Sequence, residues 1–422
     1  VVETREVDLI DDLISYASPD DPLAWLRRGD GIVGVGRSVA SIEFGGEWGL
    51  SPDAVGHATS WRLLVSAAEV TDEVRLPGTG LVGFGAFTFD PRSARPSVLR
   101  IPPLIVGRRD GRSWITRIRD LDAVVADDDP QPVAQPYGPY WSATLGPGTV
   151  DPEHYQQMVR AGLDAISSGE VGKVVLARDL VGTVPVGSDL RRLTRALSTG
   201  YPDTWTFAVD GLIGASPETL VTVAGGAVTA RVLAGTIPRG ADADEDAAAS
   251  IALGASAKDL DEHRYAVQSV LETLAPHTSS LRADDEPFTL ELPNLWHLAT
   301  DVAGEIADHA SALDLVAALH PTAAVAGTPT DAAIEVIRRL EPFDRGRYAG
   351  PVGWVDANGD GEWAIALRCA QIGGPAMRHV GAYSDTIPVV AHAGAGIVVG
   401  SDPETELLET RVKFRPIVDA LA

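Results

Sequence analysis

The sequence predicts a mixed α/β fold of the α+β kind, on three observations. Short apolar runs separated by turns fill the first 120 residues, as in GIVGVGRSVASIEF, GLVGFGAFTFDP and SWITRIRDL, a pattern of strands that pair largely antiparallel. From Asp151 onward, amphipathic helical stretches and strand-like runs alternate at larger spacing. Hydrophobic residues make up 45% of the 422 positions, enough for a substantial core in one large two-lobed domain or in more than one domain.

The segment 126–150, ADDDPQPVAQPYGPYWSATLGPGTV, is rich in Pro, Asp and Gly and reads as a long irregular connection. It divides residues 1–150, a mainly β lobe with a structural role in the same fold, from residues 151–422, where the candidate chemistry lies. DPEHYQQMVRAGLDAISSG is a helix with Pro152 near its start and Gly169 at its end, and it leads into the strand GKVVLAR. DLRRLTRALSTG follows as a helix, TWTFAVDGLIGASPETLVTVAGGAVTARVLAGT as strands, and DEDAAASIALGASAKDLDEHRYAVQSVLETLAPH as two helices. YAGPVGWVDANGDGEWAIALRCAQI is a hairpin turning at Asn358-Gly359. The last helix begins at SDPETELLETRVKF, with Asp402 as N-cap and Pro403 at the first helical position.

A net charge of −25 argues against nucleic acid or an anionic membrane as partner. There is no run of ~20 apolar residues, and VVETREVDLIDDL lacks a secretory pattern, so a cytoplasmic location is expected. With Cys369 as its only cysteine, the chain has no internal disulfide and no Cys-based zinc site. GTGLVG at 78–83 fits a dinucleotide-binding pattern by letter, but a strand follows where that motif needs a helix. P-loop, HExxH and GxSxG motifs are absent.

Lysine usage is the first pointer to chemistry. The chain has three lysines, Lys173, Lys258 and Lys413, among 34 basic residues. Arginine stays protonated, whereas a desolvated lysine can become a neutral amine that takes a proton. Lys173 opens a strand and shares a face with Val175 and Ala177. It is either a general base or a side chain snorkelling from the strand end. Asp259 and Glu262, and likewise Glu406 and Glu409, are three apart on one helical face. Facing each other across a cleft they could hold Mg²⁺. Equally, Ser256 to Asp259 is a capping box, and Glu409 with Lys413 is an i,i+4 pair. Along the second strand of the hairpin, alternation puts Arg368 on a face with Ala364, Ala366 and Ala370. That leaves room for a carboxylate, or else the arginine pairs with a core acid. Glu218 and His297 have no intrinsic signature.

In this order the segments KVVLAR, ASPETLV, LAGTIPRG, SAKDLDEHR, LHPTAAVAGTP, DRGRYAGPVGW, WAIALR and AGAGIVVGSDPETELLETRVK resemble the chorismate-utilising enzymes. That family includes isochorismate synthases, salicylate synthases, anthranilate synthase component I and aminodeoxychorismate synthase component I. The resemblance runs from about Asp151 to Arg415 and is looser before it, chiefly through GFGAFTFDP. It implies two lobes of largely antiparallel sheet with helices, enclosing a deep Mg²⁺-dependent site for chorismate. It also implies roles. Lys173 matches the base that activates water for attack at C2, and Glu218 the acid that protonates the departing C4 hydroxyl. Glu262 and Glu409 match magnesium carboxylates, with Asp259 and Glu406 in support. Arg368, Tyr348, Lys413, Gly394 and Gly396 match positions that bind the substrate carboxylates, and Gly235, Thr236 and His297 line the same pocket.

Three positions discriminate among members. Amine-transferring relatives carry a residue such as Gln in place of Lys173, so lysine points to water as the nucleophile. Aminodeoxychorismate synthases have a lysine where this chain has Ala234. Ala324 stands where salicylate and anthranilate synthases have threonine, which argues against pyruvate elimination. The resemblance therefore implies an isochorismate synthase, with a salicylate synthase as the near alternative and a non-catalytic chorismate-binding paralogue as the distant one. It implies a monomer without a glutaminase subunit, and a product that feeds either menaquinone or a siderophore.

Overall fold

The computed structural model describes residues 1–45, 54–119, 131–293, 295–373 and 385–422. Among these, the strands form one sheet of 13 and another of 10. Every pairing between described strands is antiparallel except that of Val2–Val7 with Val70–Asp72. In the larger sheet Lys173–Pro185 pairs with Thr386–Ile397 along its length, from Val174 opposite Ile397 to Pro185 opposite Thr386. Cys369–Ile372, Leu212–Ser216 and Trp205–Val209 come next, followed by Leu23–Arg27, Asp30–Val35, Leu104–Arg109, Arg112–Ile118 and Val2–Val7. The smaller sheet runs through Thr278–Ala283, Leu295–Ile306, Ala227–Pro238, Thr219–Ala224, Gly361–Ile365 and Pro351–Asp356. It then continues into Val82–Ala86, Ser97–Ile101 and Ala40–Phe44. Strands from before and after residue 150 thus lie side by side in both sheets.

Period-two alternation explains how the sheets are buried. Trp25, Ile32 and Phe207 of the larger sheet join Phe84, Trp354 and Trp363 of the smaller one in a single core. Their neighbours Ala24, Leu26, Val33 and Ala208 face the other way, onto Leu193 and Leu197 of the helix Arg191–Gly200 and Phe414 and Ile417 of the helix Pro403–Leu421. Both faces of these strands are apolar, so both are covered.

The helix signals act where expected. Asp151 caps Pro152–Ser167 by accepting from the His154 N–H, and Asp402 caps Pro403–Leu421 by accepting from the Thr405 N–H. Each cap satisfies an otherwise orphaned amide, worth about 1 kcal/mol. Ser256 separates the helices Ala243–Ala255 and Ala257–Leu274 and caps the second through the Asp259 N–H. Of the irregular connection, 126–130 lies outside the described residues. The part from 131 to 145 has neither helix nor strand, and Gly146–Pro147 adds a short edge strand to Lys173–Pro185.

One element differs from the sequence reading. The second strand of the Asn358 hairpin stops at Ile365 in the smaller sheet, and the chain crosses to begin Cys369–Ile372 in the larger one. Arg368 turns this corner with φ of 50°, a left-handed conformation that costs a non-glycine residue about 1 kcal/mol. Apolar alternation through WAIALRCA looks continuous because both strands are buried, so the pattern does not register the change of sheet.

Candidate active site

A cavity opens between the two sheets and the helices Ala257–Leu274 and Pro403–Leu421. It is lined by Glu218, Gly235, Thr236, Asp259, Glu262, His297, Ala324, Tyr348, Arg368, Gly394, Gly396, Glu406, Glu409 and Lys413. Of the residues singled out from the sequence, Lys173 alone is not on its wall. Its Nζ is 2.8 Å from Glu262 Oε1, one layer behind. Val175, Leu233, Lys258, Arg345 and Leu367, unmarked in the sequence as wall residues, complete much of the lining.

Each lysine faces one of the cavity's carboxylates. Lys173 meets Glu262, Lys258 meets Glu406 at 3.3 Å, and Lys413 meets Glu409 at 2.5 Å while also donating to Gly394 O at 3.0 Å. Lys258, whose role the sequence left open, is therefore the partner of the Glu406 carboxylate. The setting of Lys173 differs from the apolar one expected. Its strand neighbours are buried, but its ammonium touches a carboxylate. Burial by itself would raise the Glu262 carboxyl; Lys173, and more weakly Lys413 and Lys258, outweigh burial and hold it below its ordinary value. Glu406 goes the other way, raised by burial and by Glu409.

Backbone choices make room for these groups. A Cβ on Gly396 would sit 2.6 Å from Glu262 Oε1 and 3.1 Å from Lys173 Cε, so any larger residue would push this ion pair aside. Gly235, at φ of 82°, forms a bulge: Ala234 pairs with Leu298 but Thr236 with His297. The shift brings Thr236 Oγ1 to 3.0 Å from His297 Nδ1. Burial, then the positive field of Arg368 and Lys413, pushes His297 well below its usual value, so the ring is neutral, and its buried Nε2 has no partner among the described residues.

Glu218 and Arg368 on this wall form no ion pair among the described residues. Burial raises the Glu218 carboxyl to about 7, against the opposing influence of Lys173, Arg368 and Lys413. Arg368 is 7% exposed and has no ion-pair partner among the described residues, which removes the reading of an arginine held by a core acid. A buried guanidinium without a counter-charge is unfavourable until an anion arrives, and its planar fork suits a carboxylate. Tyr348 lies beside it, backed by the ring of His392 stacked at 5.2 Å, a support that the sequence did not flag. Arg345 is also buried. It forks onto Glu341 and donates to Val325 O and Val175 O, tying the HPTAAVAG loop to the Lys173 strand.

Among the described residues, no group of three or more His, Cys, Asp or Glu side chains is arranged to hold a metal ion. The donor set still fits a hard cation. Besides Glu218, four carboxylates line the cavity, three of them now facing ammonium groups, and Mg²⁺ needs only one or two protein carboxylates with waters and an anionic ligand. Asp259 is the most committed of the four, since its carboxylate also accepts from its own helix cap, Ser256.

The chain is similar to proteins already known. Isochorismate synthase DhbC of Bacillus subtilis is 41% identical over 283 residues, covering 64% of this chain and 68% of that protein. Isochorismate synthase EntC of Escherichia coli is 35% identical over 342 residues, covering 79% and 80%. The crystal structure of DhbC from Bacillus anthracis overlays with a TM-score of 0.76 at 31% identity, covering 97% of this chain and 98% of that one. The family described as chorismate binding enzyme matches residues 32–422, and the chain belongs to that family.

Proposed function

We propose that this chain is an isochorismate synthase, interconverting chorismate and isochorismate by adding water at ring carbon C2 with loss of the C4 hydroxyl. The observation that carries the reading is Glu218, a buried carboxyl that keeps its proton up to about 7 in a cavity walled by Arg368, Tyr348 and Lys413. Hydroxide is a poor leaving group near neutral pH, and Glu218 supplies the proton that makes it water. Arg368 and Lys413 receive the substrate's two carboxylates, which compensate the buried guanidinium. Freed of Glu262 and deprotonated to the neutral amine, Lys173 takes the proton of the attacking water. Thr236 and the neutral His297 present hydrogen-bonding groups to the ring.

Glu262 and Glu409 would hold Mg²⁺, with Glu406 and Asp259 in support. Bound there, the ion would supply positive charge toward a substrate carboxylate and give Glu262 a partner other than Lys173. Ala324 on the wall favours release of isochorismate over elimination of pyruvate. The relatives' names are consistent with water as the nucleophile, and no glutaminase partner is needed for it.

The test is incubation of purified protein with chorismate and Mg²⁺, with products separated by chromatography. Isochorismate without pyruvate is expected. Salicylate fluorescence with pyruvate would replace this reading by that of a salicylate synthase, and no turnover would leave a binding protein. Lys173→Ala and Glu218→Gln should each abolish turnover with cooperative melting retained.

A further inference from the structure

The reaction just described, on which this inference rests, moves no net proton, yet it leaves its two residues in the wrong states. Water's oxygen bonds to C2 as one of its protons passes to Lys173; the C4–O bond breaks as Glu218 gives its proton to the departing hydroxyl. Before the next turnover Lys173 must lose a proton and Glu218 must regain one. Lys173 sits beside Glu262, in reach of the main cavity. Glu218 is buried, and in the reaction proposed above bound substrate or product would cover its cavity side.

Glu218 also borders a second chamber. This small space shares Glu218 and Ala324 with the main cavity and has Arg231 on its wall as well. Most of its wall is aliphatic, but Thr219 and Thr322 line it as well. Thr322 is 6% exposed, and its buried Oγ1 has no hydrogen-bond partner among the described residues. A buried hydroxyl left so is unfavourable until a partner such as water reaches it. Thr219 accepts from Trp205 Nε1 at 2.9 Å and keeps its own hydroxyl proton to give. At the far end the Arg231 side chain is 28% exposed and forks onto Asp301 at the surface. The chamber thus runs from a buried carboxyl to a partly exposed arginine, with two hydroxyls on its wall and room for about one water molecule.

We propose that this chamber is the proton-return path of Glu218: ordered water held by the Thr322 hydroxyl passes a proton from the Arg231 end to the Glu218 carboxylate while the main cavity is occupied. A hydroxyl serves because it accepts one proton as it donates another. Thr322 is a positioning residue for that water and touches no reacting atom.

Thr322→Val keeps the shape and removes the relay. Steady-state rates in H₂O and D₂O should show kcat reduced about 10-fold, below the 10²–10⁴ attributed to an acid itself, with KM unchanged and a larger solvent isotope effect on kcat. Thr322→Ser should restore both. Ala230→Val fills the same chamber from another strand without touching the hydroxyl and should lower kcat in the same way, so the question remains answerable if Thr322→Val impairs folding. Parent-like kcat and isotope effect in Thr322→Val or Ala230→Val overturn the proposal, as does a serine variant no better than valine. A parent enzyme that forms no isochorismate overturns the functional reading instead, and with it the premise of this one.

Discussion

Burial raises the Glu218 carboxyl to about 7 even though Lys173, Arg368 and Lys413 all favour its ionised form. The departing hydroxyl needs the protonated acid, so the Glu218 contribution to kcat/KM should be level below about 7 and fall tenfold per pH unit above it. For stability the sign works out as follows. The folded carboxyl keeps a proton that the unfolded one releases above its ordinary 4.5, so its contribution is fully present below 4.5 and is lost as pH rises through about 7. Glu218→Gln removes that dependence. Its melting temperature should match the parent's near pH 4.5 and exceed it at pH 8; a gap that does not grow with pH would contradict the raised value. At this scale the sequence was only partly legible. Lys173 stands out because lysine is scarce, but Glu218, in ASPETL, acquires its character only from what surrounds it in space.

Two glycines on the strand Thr386–Ile397 separate what an element does for the sheet from what it does for the site. A Cβ on Gly394 meets backbone, 2.7 Å from Leu176 O, so Gly394→Ala must spread the pairing with Lys173–Pro185. A Cβ on Gly396 meets the ends of two side chains, Glu262 and Lys173. Gly396→Ala should therefore cost turnover at least 10-fold while shifting the melting temperature little, and Gly394→Ala should lower the melting temperature markedly. Equal thermal shifts in the two variants would contradict the assignment. Helices and caps were readable because their signals are local: Asp151 before Pro152, Ser256 before Asp259, Asp402 before Pro403. The crossover at Leu367 and Arg368 was not, because alternation reports burial of faces and is silent on which sheet buries them. The carboxylate and lysine pairs fall between these cases. Spacing put Glu262 and Glu409 on helix faces, but only the fold shows that Lys173 and Lys413 stand against them.

The site needs both sheets at once. Gly394, Gly396 and the Arg368 corner belong to the larger sheet, Leu233 to Thr236 and His297 to the smaller, and the strands that fix the two sheets together come largely from the first 150 residues. Leu23–Arg27 pairs with Trp205–Val209, and Val82–Ala86 with Pro351–Asp356. Trp25 Nε1 and Trp354 Nε1 both donate to the buried Glu362 carboxylate, at 2.9 and 3.1 Å, and Arg109 completes its shell at 2.8 Å. Residue 150, where the sequence changes character, therefore marks no seam in the packing. Cutting there would expose the open edges of Trp205–Val209 and Pro351–Asp356, bare the core around Trp354 and Trp363, and leave Glu362 without two of its three donors. Residues 151–422 produced alone should thus lack a cooperative melting transition and near-ultraviolet circular dichroism, although every candidate catalytic residue is present. Co-expression with residues 1–150 as a separate chain should recover both signals together with turnover, since the missing strands can pair without a covalent link. A soluble 151–422 fragment that melts cooperatively and converts chorismate would show instead that the cavity is held by its own half of the chain.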